Sequence, residues 1–411
     1  MTKAPVRSLR VIGLLSGTSI DGIDVAAAEL DLTEDTIQLT PLGYTERPYP
    51  AELRAALHAA LPPGDCTAER LCQLDTEVGM AFAEAANQGI AELADGRADL
   101  VASLGQTLHH WVEDGRCRGT LQIGQPAWIA EATGLPVVSD LRARDVAAGG
   151  HGAPLASTLD ALWLRELAER AAAPAAALNI GGIANITVVA PGKEPLAYDT
   201  GPGNALLDAA AYLVTDGAQR QDTGGELAMR GSTRQDLLDW LLADPYYAAP
   251  APKSTGKEYF HAEYLRRALA AVPPVSDADL LRTLVELTAR TIAAECQRHG
   301  VRSVLSSGGG MHNPALTKAL TESLGAIELR GSDELGLPTE AKEAYLTSLL
   351  GWLTWCGVPA SLPSATGARA ARLLGSITPG RVALAPPPAP EHEPRLLRVS
   401  PEHAAQPSNG R

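Results

Sequence analysis

The sequence has few aromatic residues and little positive charge for its length. Aromatic residues make up 4% of the 411 residues and phenylalanine occurs twice, so we expect a core of Ala, Leu, Val and Ile. The chain carries 34 Lys and Arg against 48 Asp and Glu. The resulting formal charge of −14 argues against nucleic acid or an anionic membrane as the main partner. A small anionic ligand remains compatible, because backbone N–H groups can hold it.

Cysteines are scarce, and long apolar runs are absent. The five cysteines are scattered and form no C-x-x-C pair, which disfavours a disulfide framework or a zinc site. No apolar run approaches the ~18 residues that a transmembrane helix needs. The N-terminal V-I-G-L-L is too short for the apolar part of a signal peptide and is predicted to be a first buried strand. These absences favour a cytoplasmic location.

The order of the predicted elements indicates two lobes. Strands alternate with helices, which is typical of an α/β architecture. Two strand–polar loop–strand openings, one near the N-terminus and one beginning near Ala175, predict two α/β lobes with a cleft between them. We assign residues 1–155 to lobe I, completed by about 340–380, and residues 156–339 to lobe II. The Pro-rich, polar residues 382–411 are predicted to be disordered.

The first loop with chemical potential is S-G-T-S-I-D-G, residues Ser16–Gly22. Its glycines allow amides to converge and its hydroxyls add donors, a combination that suits a phosphate. Asp21 and Asp24 would reach Mg²⁺ through water. A plain hairpin turn is the alternative, since such turns favour the same residues.

The second loop is D-T-G-P-G-N, residues Asp199–Asn204. A carboxylate at the end of a predicted strand lies where α/β sheets bind ligands, and the amides of the following helix would favour an anion. Asp199 is therefore a candidate general base. The alternative is that Asp199 caps the following helix.

Two further loops are less specific. The glycines Gly308–Gly310 follow an apolar strand and either admit a flat ring such as adenine or form a helix-entry turn. Lys253 and Lys257 flank a Ser-Thr-Gly turn and either neutralise phosphate or belong to a solvated loop.

A basic and acidic run surrounds a glycine-rich turn. It contains Asp140, Arg142, Arg144, Asp145 and His151. Guanidinium groups grip carboxylates or phosphates in a bidentate manner. The alternative is a structural ion pair of Arg142 with either aspartate.

These loops occur together with other motifs in a characteristic order. They are G-L-L-S-G-T-S-I-D-G-I-D, S-L-G-Q-T, Q-I-G-Q-P, D-L-R-A-R-D-V-A-A-G-G-H-G-A-P-L, L-N-I-G-G-I-A-N-I-T, Y-D-T-G-P-G-N, P-K-S-T-G-K-E-Y-F and G-G-G-M-H-N. Over about residues 10–380 the chain resembles the anhydro-N-acetylmuramic acid kinase family.

The resemblance implies a two-lobed actin-like (sugar kinase/Hsp70) ATPase fold and the use of ATP with Mg²⁺. It implies hydrolytic opening of 1,6-anhydro-N-acetylmuramic acid and phosphorylation to N-acetylmuramic acid 6-phosphate during cell-wall recycling. It also suggests a homodimer. Kinases for another anhydro sugar, such as levoglucosan, and a regulator that has lost catalysis remain alternatives.

The resemblance also assigns roles to residues. Asp199 is the expected catalytic base, and Thr107, Arg144 and Glu343 are the expected sugar contacts. No set of protein metal ligands is predicted. The residues expected to bind nucleotide are Gly17, Thr18, Ser19, Ile20, Asp21, Gly22, Ile23, Asp24, Gly181, Gly182, Gly201, Gly203, Asn204, Gly308, Gly309 and Gly310.

Three positions depart from the family pattern. The chain has Leu104, Leu141 and His151 where the family usually has His, Phe and Gln. All three lie in motifs assigned to the sugar, so they bear on the sugar pocket and leave the proposed base and nucleotide loop intact.

Overall fold

The computed structural model describes residues 6–251 and 253–400, and the chain divides into two structural units. Unit 1 comprises Met1–Trp163 and Leu335–Arg411, and unit 2 comprises Leu164–Glu334. We expected the first division before residue 156. The contacts place it within the helix Ala156–Ala171 instead, because the first half of that helix packs with unit 1.

The helices and strands follow in chain order. The first part of the chain forms β1 (Val6–Ser16), β2 (Gly22–Thr33), β3 (Thr36–Pro48), α1 (Ala51–Ala60), α2 (Ala68–Leu93), β4 (Leu100–Glu113), β5 (Arg116–Ile123), α3 (Pro126–Thr133), β6 (Val137–Ser139), α4 (Ala143–Ala147) and α5 (Ala156–Ala171). The middle part forms β7 (Ala175–Ile180), β8 (Ile183–Val189), β9 (Leu196–Pro202), α6 (Ala205–Val214), α7 (Glu226–Arg230), α8 (Gln235–Leu242), α9 (Pro245–Ala248), α10 (Ala262–Ala270), α11 (Asp277–Arg298), β10 (Ser303–Ser307), α12 (Pro314–Leu324) and β11 (Glu328–Gly331). The last part forms α13 (Lys342–Trp355), α14 (Pro363–Thr366), β12 (Ser376–Thr378) and β13 (Leu396–Val399).

Each unit contains one mixed sheet, and the two sheets share a strand order. In unit 1 the order is β3-β2-β1-β4-β6, and in unit 2 it is β9-β8-β7-β10-β11. In both sheets the first three strands are antiparallel and the others run parallel to the first strand of the unit. This duplicated topology is that of the actin-like ATPase fold, so the predicted α/β fold class is confirmed.

Helix α13 fastens the second chain segment of unit 1 to its sheet. Residues Ala344–Thr354 are all buried, as expected of a helix that is apolar on every side. The helix packs directly on strand backbone: a Cβ on Gly13 of β1 would overlap the carbonyl oxygen of Ala344, and a Cβ on Gly351 would overlap Ala102 of β4.

The C-terminal residues correct one prediction. We predicted disorder over 382–411, but Leu396–Val399 forms β13, which pairs in parallel with β3, and Leu397 is buried. Four residues of suitable β-propensity suffice to pair with the open edge of β3, although the Pro-rich composition around them hides this segment. Residues 401–411 of the predicted tail lie outside the described residues.

The core has the predicted composition. Ala, Leu, Val and Ile dominate the buried residues, and each unit has its own apolar cluster. The two phenylalanines are both fully buried, Phe82 in unit 1 and Phe260 in unit 2. None of the helices in the described part of the chain combines the length and apolar content that a membrane-spanning segment requires.

Candidate active site

In unit 1 the predicted nucleotide loop is a tight turn between β1 and β2. The amide of Ile20 donates to the carbonyl of Gly17 (3.1 Å), and the Ile20 side chain is fully buried although its φ is 56°. Thr18 and Ser19 are exposed at the tip of the turn. A buried anchor therefore leaves two hydroxyls exposed at the tip of the turn, and phosphate binding there stays a prediction.

Two residues from other elements hold this turn. Arg54 of α1 donates to the carbonyl of Ile20 (2.9 Å) and to the carboxylate of Asp21 (2.6 Å). Gln106 of β4, fully buried, donates to the carbonyl of Gly17 (3.2 Å). Sequence analysis missed Arg54, because nothing in the α1 pattern signals a contact with a turn more than 30 residues earlier.

Asp24 lies in β2 within a group of acidic side chains. Its Oδ1 accepts a hydrogen bond from the Tyr44 hydroxyl at 2.6 Å, and Glu46 is its cross-strand partner in β3. Burial raises the pKa of Asp24 to about 6, and repulsion from Glu46 and Glu343 acts in the same direction. The carboxyl group of Asp24 therefore gains or loses its proton near neutral pH.

Of the two arginines singled out, the structure brings Arg142 close to Glu343. Glu343 is exposed in the first turn of α13, and its charge opposes the lowering of the Arg142 pKa by burial. Arg142 also donates to the carbonyl of Gly152 (2.7 Å). Arg144 is exposed on α4, and its side chain makes no ion pair with the described residues. Arg142, which we did not assign to the sugar, is thus the better-fixed cation.

The alternative ion pair of Arg142 with an aspartate does not form in the described residues. Asp145 is fully buried and accepts from the amide of Gly152 (2.8 Å) and the hydroxyl of Thr366 (2.8 Å). Asp145 therefore organises the glycine-rich turn, and the guanidinium of Arg142 bonds to the same turn through a carbonyl.

Thr107 lies beside a small polar cavity. Its hydroxyl accepts a hydrogen bond from Gln122 (3.3 Å), and Gln122 lines a cavity of about 160 Å³ together with Ser103, Leu104 and Asp140. Ser103 Oγ and Gln122 Oε1 are buried and have no partner among the described residues. Buried polar atoms without partners are rare in native structures, so a polar group of a ligand or a water molecule in this cavity would satisfy these two atoms.

The three departures from the family pattern differ in their surroundings. Leu104 lines the polar cavity, where it supplies an apolar wall instead of an imidazole. Leu141 is buried, and His151 is exposed on the glycine-rich turn. Only Leu104 therefore changes the chemistry of the cavity beside Thr107.

In unit 2, Asp199 lies within β9 opposite Asn185 rather than after the strand. Its Oδ2 accepts hydrogen bonds from the hydroxyl of Ser254 (2.9 Å) and the amide of Thr255 (3.0 Å). Burial raises the pKa of Asp199, the two hydrogen bonds lower it, and Glu258 adds a smaller rise. The site thus contains a partly desolvated carboxylate, which is a stronger base than an aspartate in water.

Asp199 does not cap helix α6, so the capping alternative is wrong. Asn204 occupies the position before the helix. The amides of Gly203 and Ala205 donate to the carbonyl of Gly182, and the amide of Asn204 donates to that of Gly181 (2.9, 2.9 and 2.8 Å). These three amides are therefore engaged within the protein, and binding of an anion at the start of α6 stays a prediction.

The predicted glycine segments of unit 2 converge on the end of β7. A Cβ on Gly203 would overlap the carbonyl of Gly181, and one on Gly310 would overlap the side chain of Ile180. Gly308 is held against the carbonyl of the same isoleucine, whereas Gly309 faces open space. Gly309, which no side chain covers, is therefore the part of this backbone that is accessible to a flat ring or a phosphate.

The two lysines of the P-K-S-T-G-K motif have different surroundings. Lys253 Nζ forms a buried ion pair with Glu295 (3.0 Å). Lys257 is exposed, and its aliphatic stem lies over Gly182. Burial raises the pKa of Asp208 in α6, and the nearby charge of Lys257 opposes that rise. Lys257 is therefore the cation available to a phosphate, while Lys253 is structural.

The described residues contain no group of three or more His, Cys, Asp or Glu side chains arranged to hold a metal ion.

The comparisons with known proteins agree with the motifs. Residues 9–380 match the family model described as anhydro-N-acetylmuramic acid kinase. An anhydro-N-acetylmuramic acid kinase of Streptomyces coelicolor is 55% identical over 95% of this chain and 99% of its own. One of Rhodococcus erythropolis is 50% identical over the same shares.

A solved ROK hexokinase from Thermus thermophilus aligns at 21% identity over 83% of this chain and 98% of its own, with a TM-score of 0.37. The fold assignment rests on the strand order of the two sheets and not on this likeness. From the match of its sequence over nearly the whole length, the chain belongs to the anhydro-N-acetylmuramic acid kinase family.

Proposed function

We propose that the chain is an ATP-dependent kinase that opens 1,6-anhydro-N-acetylmuramic acid with water and phosphorylates it to N-acetylmuramic acid 6-phosphate in cell-wall recycling. Family membership and the names of the relatives support this reaction. The structural observation that carries the proposal is the partly desolvated carboxylate of Asp199, held by Ser254 and Thr255.

In this reaction Asp199 acts as general base. It takes a proton from water as the water oxygen bonds to the anomeric carbon. The bond from that carbon to the 6-oxygen breaks. The 6-oxygen then bonds to the γ-phosphorus of ATP, and ADP is the leaving group. Burial favours the base role, because it raises the pKa of the carboxylate toward neutral pH.

For the nucleotide we propose the two sets of residues expected from the sequence, one in each unit. The hydroxyls of Thr18 and Ser19 are exposed and available to phosphate oxygens. The bare backbone at Gly309 and the ammonium of Lys257 supply further contacts. Mg²⁺, when bound with ATP, neutralises phosphate charge, which is where most catalysis of phosphoryl transfer arises.

For the sugar we propose Thr107, Arg144 and Glu343, and we add Arg142. The lactyl carboxylate of a muramic sugar is negatively charged, and Glu343 lies with other acidic side chains in unit 1 that would repel it. Binding of this carboxylate therefore needs a positively charged partner. Arg142 is better fixed than the exposed Arg144. A neutral anhydro sugar would have no use for this cation.

The substitution Asp199→Asn tests the base role. We expect sugar-dependent ADP release to fall by at least about a hundredfold, the usual contribution of a general base, while ATP binding stays within a few-fold of the wild type. Steady-state kinetics and calorimetric titration with a non-hydrolysable ATP analogue measure the two quantities. Retained turnover would remove Asp199 from the role of base.

A substrate panel tests the sugar. It contains 1,6-anhydro-N-acetylmuramic acid, levoglucosan and N-acetylmuramic acid, each with ATP and Mg²⁺. We expect turnover of the muramic anhydro sugar with the highest kcat/KM. Preference for levoglucosan would redirect the proposal to another anhydro sugar, and no turnover of any would indicate a regulator.

We further propose a homodimer and a cytoplasmic location, both on the basis of family membership and the sequence. Light scattering coupled to gel filtration tests the first: twice the chain mass of 42.9 kDa is expected.

A further inference from the structure

We propose that the segment Lys253–Gly256, the clamp segment, positions Asp199 so that only its Oδ1 is available to take the proton. Four hydrogen bonds reach this one residue, three of them from the clamp segment and one from Tyr246, and aromatic side chains gather around the segment. The inference rests on the base role proposed above and deepens it by naming the residues that orient the base.

The bonds from the clamp segment fix both backbone and side chain of Asp199. Its amide donates to the carbonyl of Lys253 (3.0 Å), and its Oδ2 accepts from Ser254 and from Thr255. The Tyr246 hydroxyl donates to its carbonyl (2.7 Å). Among the described residues Oδ1 accepts no hydrogen bond, so the two carboxylate oxygens have different roles.

A buried ion pair anchors the clamp segment. Lys253 Nζ bonds to Glu295 of α11 at 3.0 Å, and both side chains are about 5% exposed. The same ammonium donates to the carbonyls of Tyr246 and Tyr247 at 3.3 and 3.2 Å. Glu295 in turn accepts from the Tyr198 hydroxyl at 3.0 Å. The residue preceding Ser254 is therefore fixed to the helix behind it.

Aromatic rings hold the chain on both sides of the clamp segment. Tyr246 and Tyr247 precede it, Tyr259 and Phe260 follow it, and Tyr264 lies beyond. These five rings contact one another, with centroids 4.9–6.4 Å apart. In a protein with nine tyrosines and two phenylalanines, this concentration is a strong restraint on one short loop.

The charged and titratable groups near Asp199 predict how the restraint acts. Glu258, from the loop, disfavours the ionised carboxylate, while Lys253 and Glu295 compensate each other. The Tyr246 hydroxyl is neutral and is engaged with a carbonyl. Hydrogen bonds from the clamp segment are thus the groups that favour ionised Asp199, and losing one shifts its proton uptake to higher pH.

The test compares Ser254→Ala with Ser254→Thr, which keeps a hydroxyl, and with Ser232→Ala. Ser232 is an exposed serine of the same unit whose hydroxyl makes no hydrogen bond with the described residues. Each full-length variant is assayed for kcat between pH 5 and 9 with the muramic anhydro sugar and saturating ATP, and its melting temperature is measured.

For Ser254→Ala we expect the acidic limb of the kcat profile to move up by about one pH unit, so that kcat falls by up to about tenfold on that limb and recovers at alkaline pH. Ser254→Thr restores most of the activity, and Ser232→Ala matches the wild type. An unmoved acidic limb in Ser254→Ala, or a loss that is equal at every pH, overturns the proposal.

Asp199→Asn in the same assay separates the two levels of inference. If that variant is inactive and Ser254→Ala behaves as the wild type, the base role stands and the clamp segment is only structural. If Asp199→Asn retains turnover, both proposals fall.

Discussion

At the residue scale, Asp24 lowers the stability of unit 1 at neutral pH. Its pKa is about 6 in the folded chain and about 4 in an unfolded chain, so the folded state binds this proton more tightly. Its contribution to the free energy of unfolding is therefore fully present below about pH 4 and is lost as the pH rises through 6. Such a cost is typical of a functional group rather than a structural one.

We therefore expect Asp24→Asn to raise the free energy of unfolding at pH 7.5 by about 1–2 kcal/mol, allowing for the screening of a half-buried group. At pH 4.5 the difference from the wild type shrinks, because Asp24 is then protonated. Urea unfolding at both pH values measures this, and Asp65→Asn, at an exposed position, is the control. A gain that is equal at both pH values contradicts the prediction. Kinase activity falls in the same variant.

The residues that position the candidate site were the least predictable part of the sequence. Motifs pointed to Asp199 and to the turn at Gly17, because glycines and a carboxylate at a strand end are local signals. The partners of these groups are not local: Ser254 follows Asp199 by 55 residues, and Arg54 follows Asp21 by 33. The choice of Arg142 over Arg144 depends on which way a short helix presents each side chain, and spacing alone leaves that open.

At the scale of elements, local pattern was sufficient where an element is set by its own sequence. Helices α1 and α12 each have a proline at or just before the first helical residue, which is a local signal for the start of a helix. Strand β13 shows the opposite case. Its four residues form a strand because β3, more than 300 residues earlier, offers an open edge.

The pairing of β13 with β3 predicts a defined effect of truncation. Removing residues 396–411 exposes the edge of β3 and the site of the buried Leu397. We expect a loss of about 2–4 kcal/mol, the burial of one leucine plus ladder hydrogen bonds, and a greater tendency to aggregate through the free edge. Removing 401–411 alone keeps β13 and is the control. Equal stability of the two truncated chains would contradict a structural role for this strand.

At the scale of the whole molecule, the repeat of one sheet topology was visible as two similar openings of the chain, but not as repeated residues. The hairpins β1–β2 and β7–β8 have similar sequence patterns, because each consists of two apolar strands around a glycine-rich loop. The fold therefore follows from the pattern of apolar and turn residues, while each unit fills its core with different side chains.

The two units differ in how they are built from the chain, and this predicts their behaviour as fragments. Unit 2 is one continuous segment, 164–334, with its own sheet and its own apolar cluster. Unit 1 needs two segments, because the buried helix α13 packs on β1 and comes from beyond residue 334.

We expect the fragment 164–334 to fold cooperatively by itself, and the fragment 1–163 to remain unfolded or aggregate with its α13 face uncovered. Thermal unfolding followed by circular dichroism, together with the amide dispersion in a proton–nitrogen NMR spectrum, distinguishes the two. A cooperative transition in the fragment 1–163 would mean that α13 is dispensable for the sheet of unit 1, and its absence in 164–334 would mean that unit 2 depends on the rest of the chain.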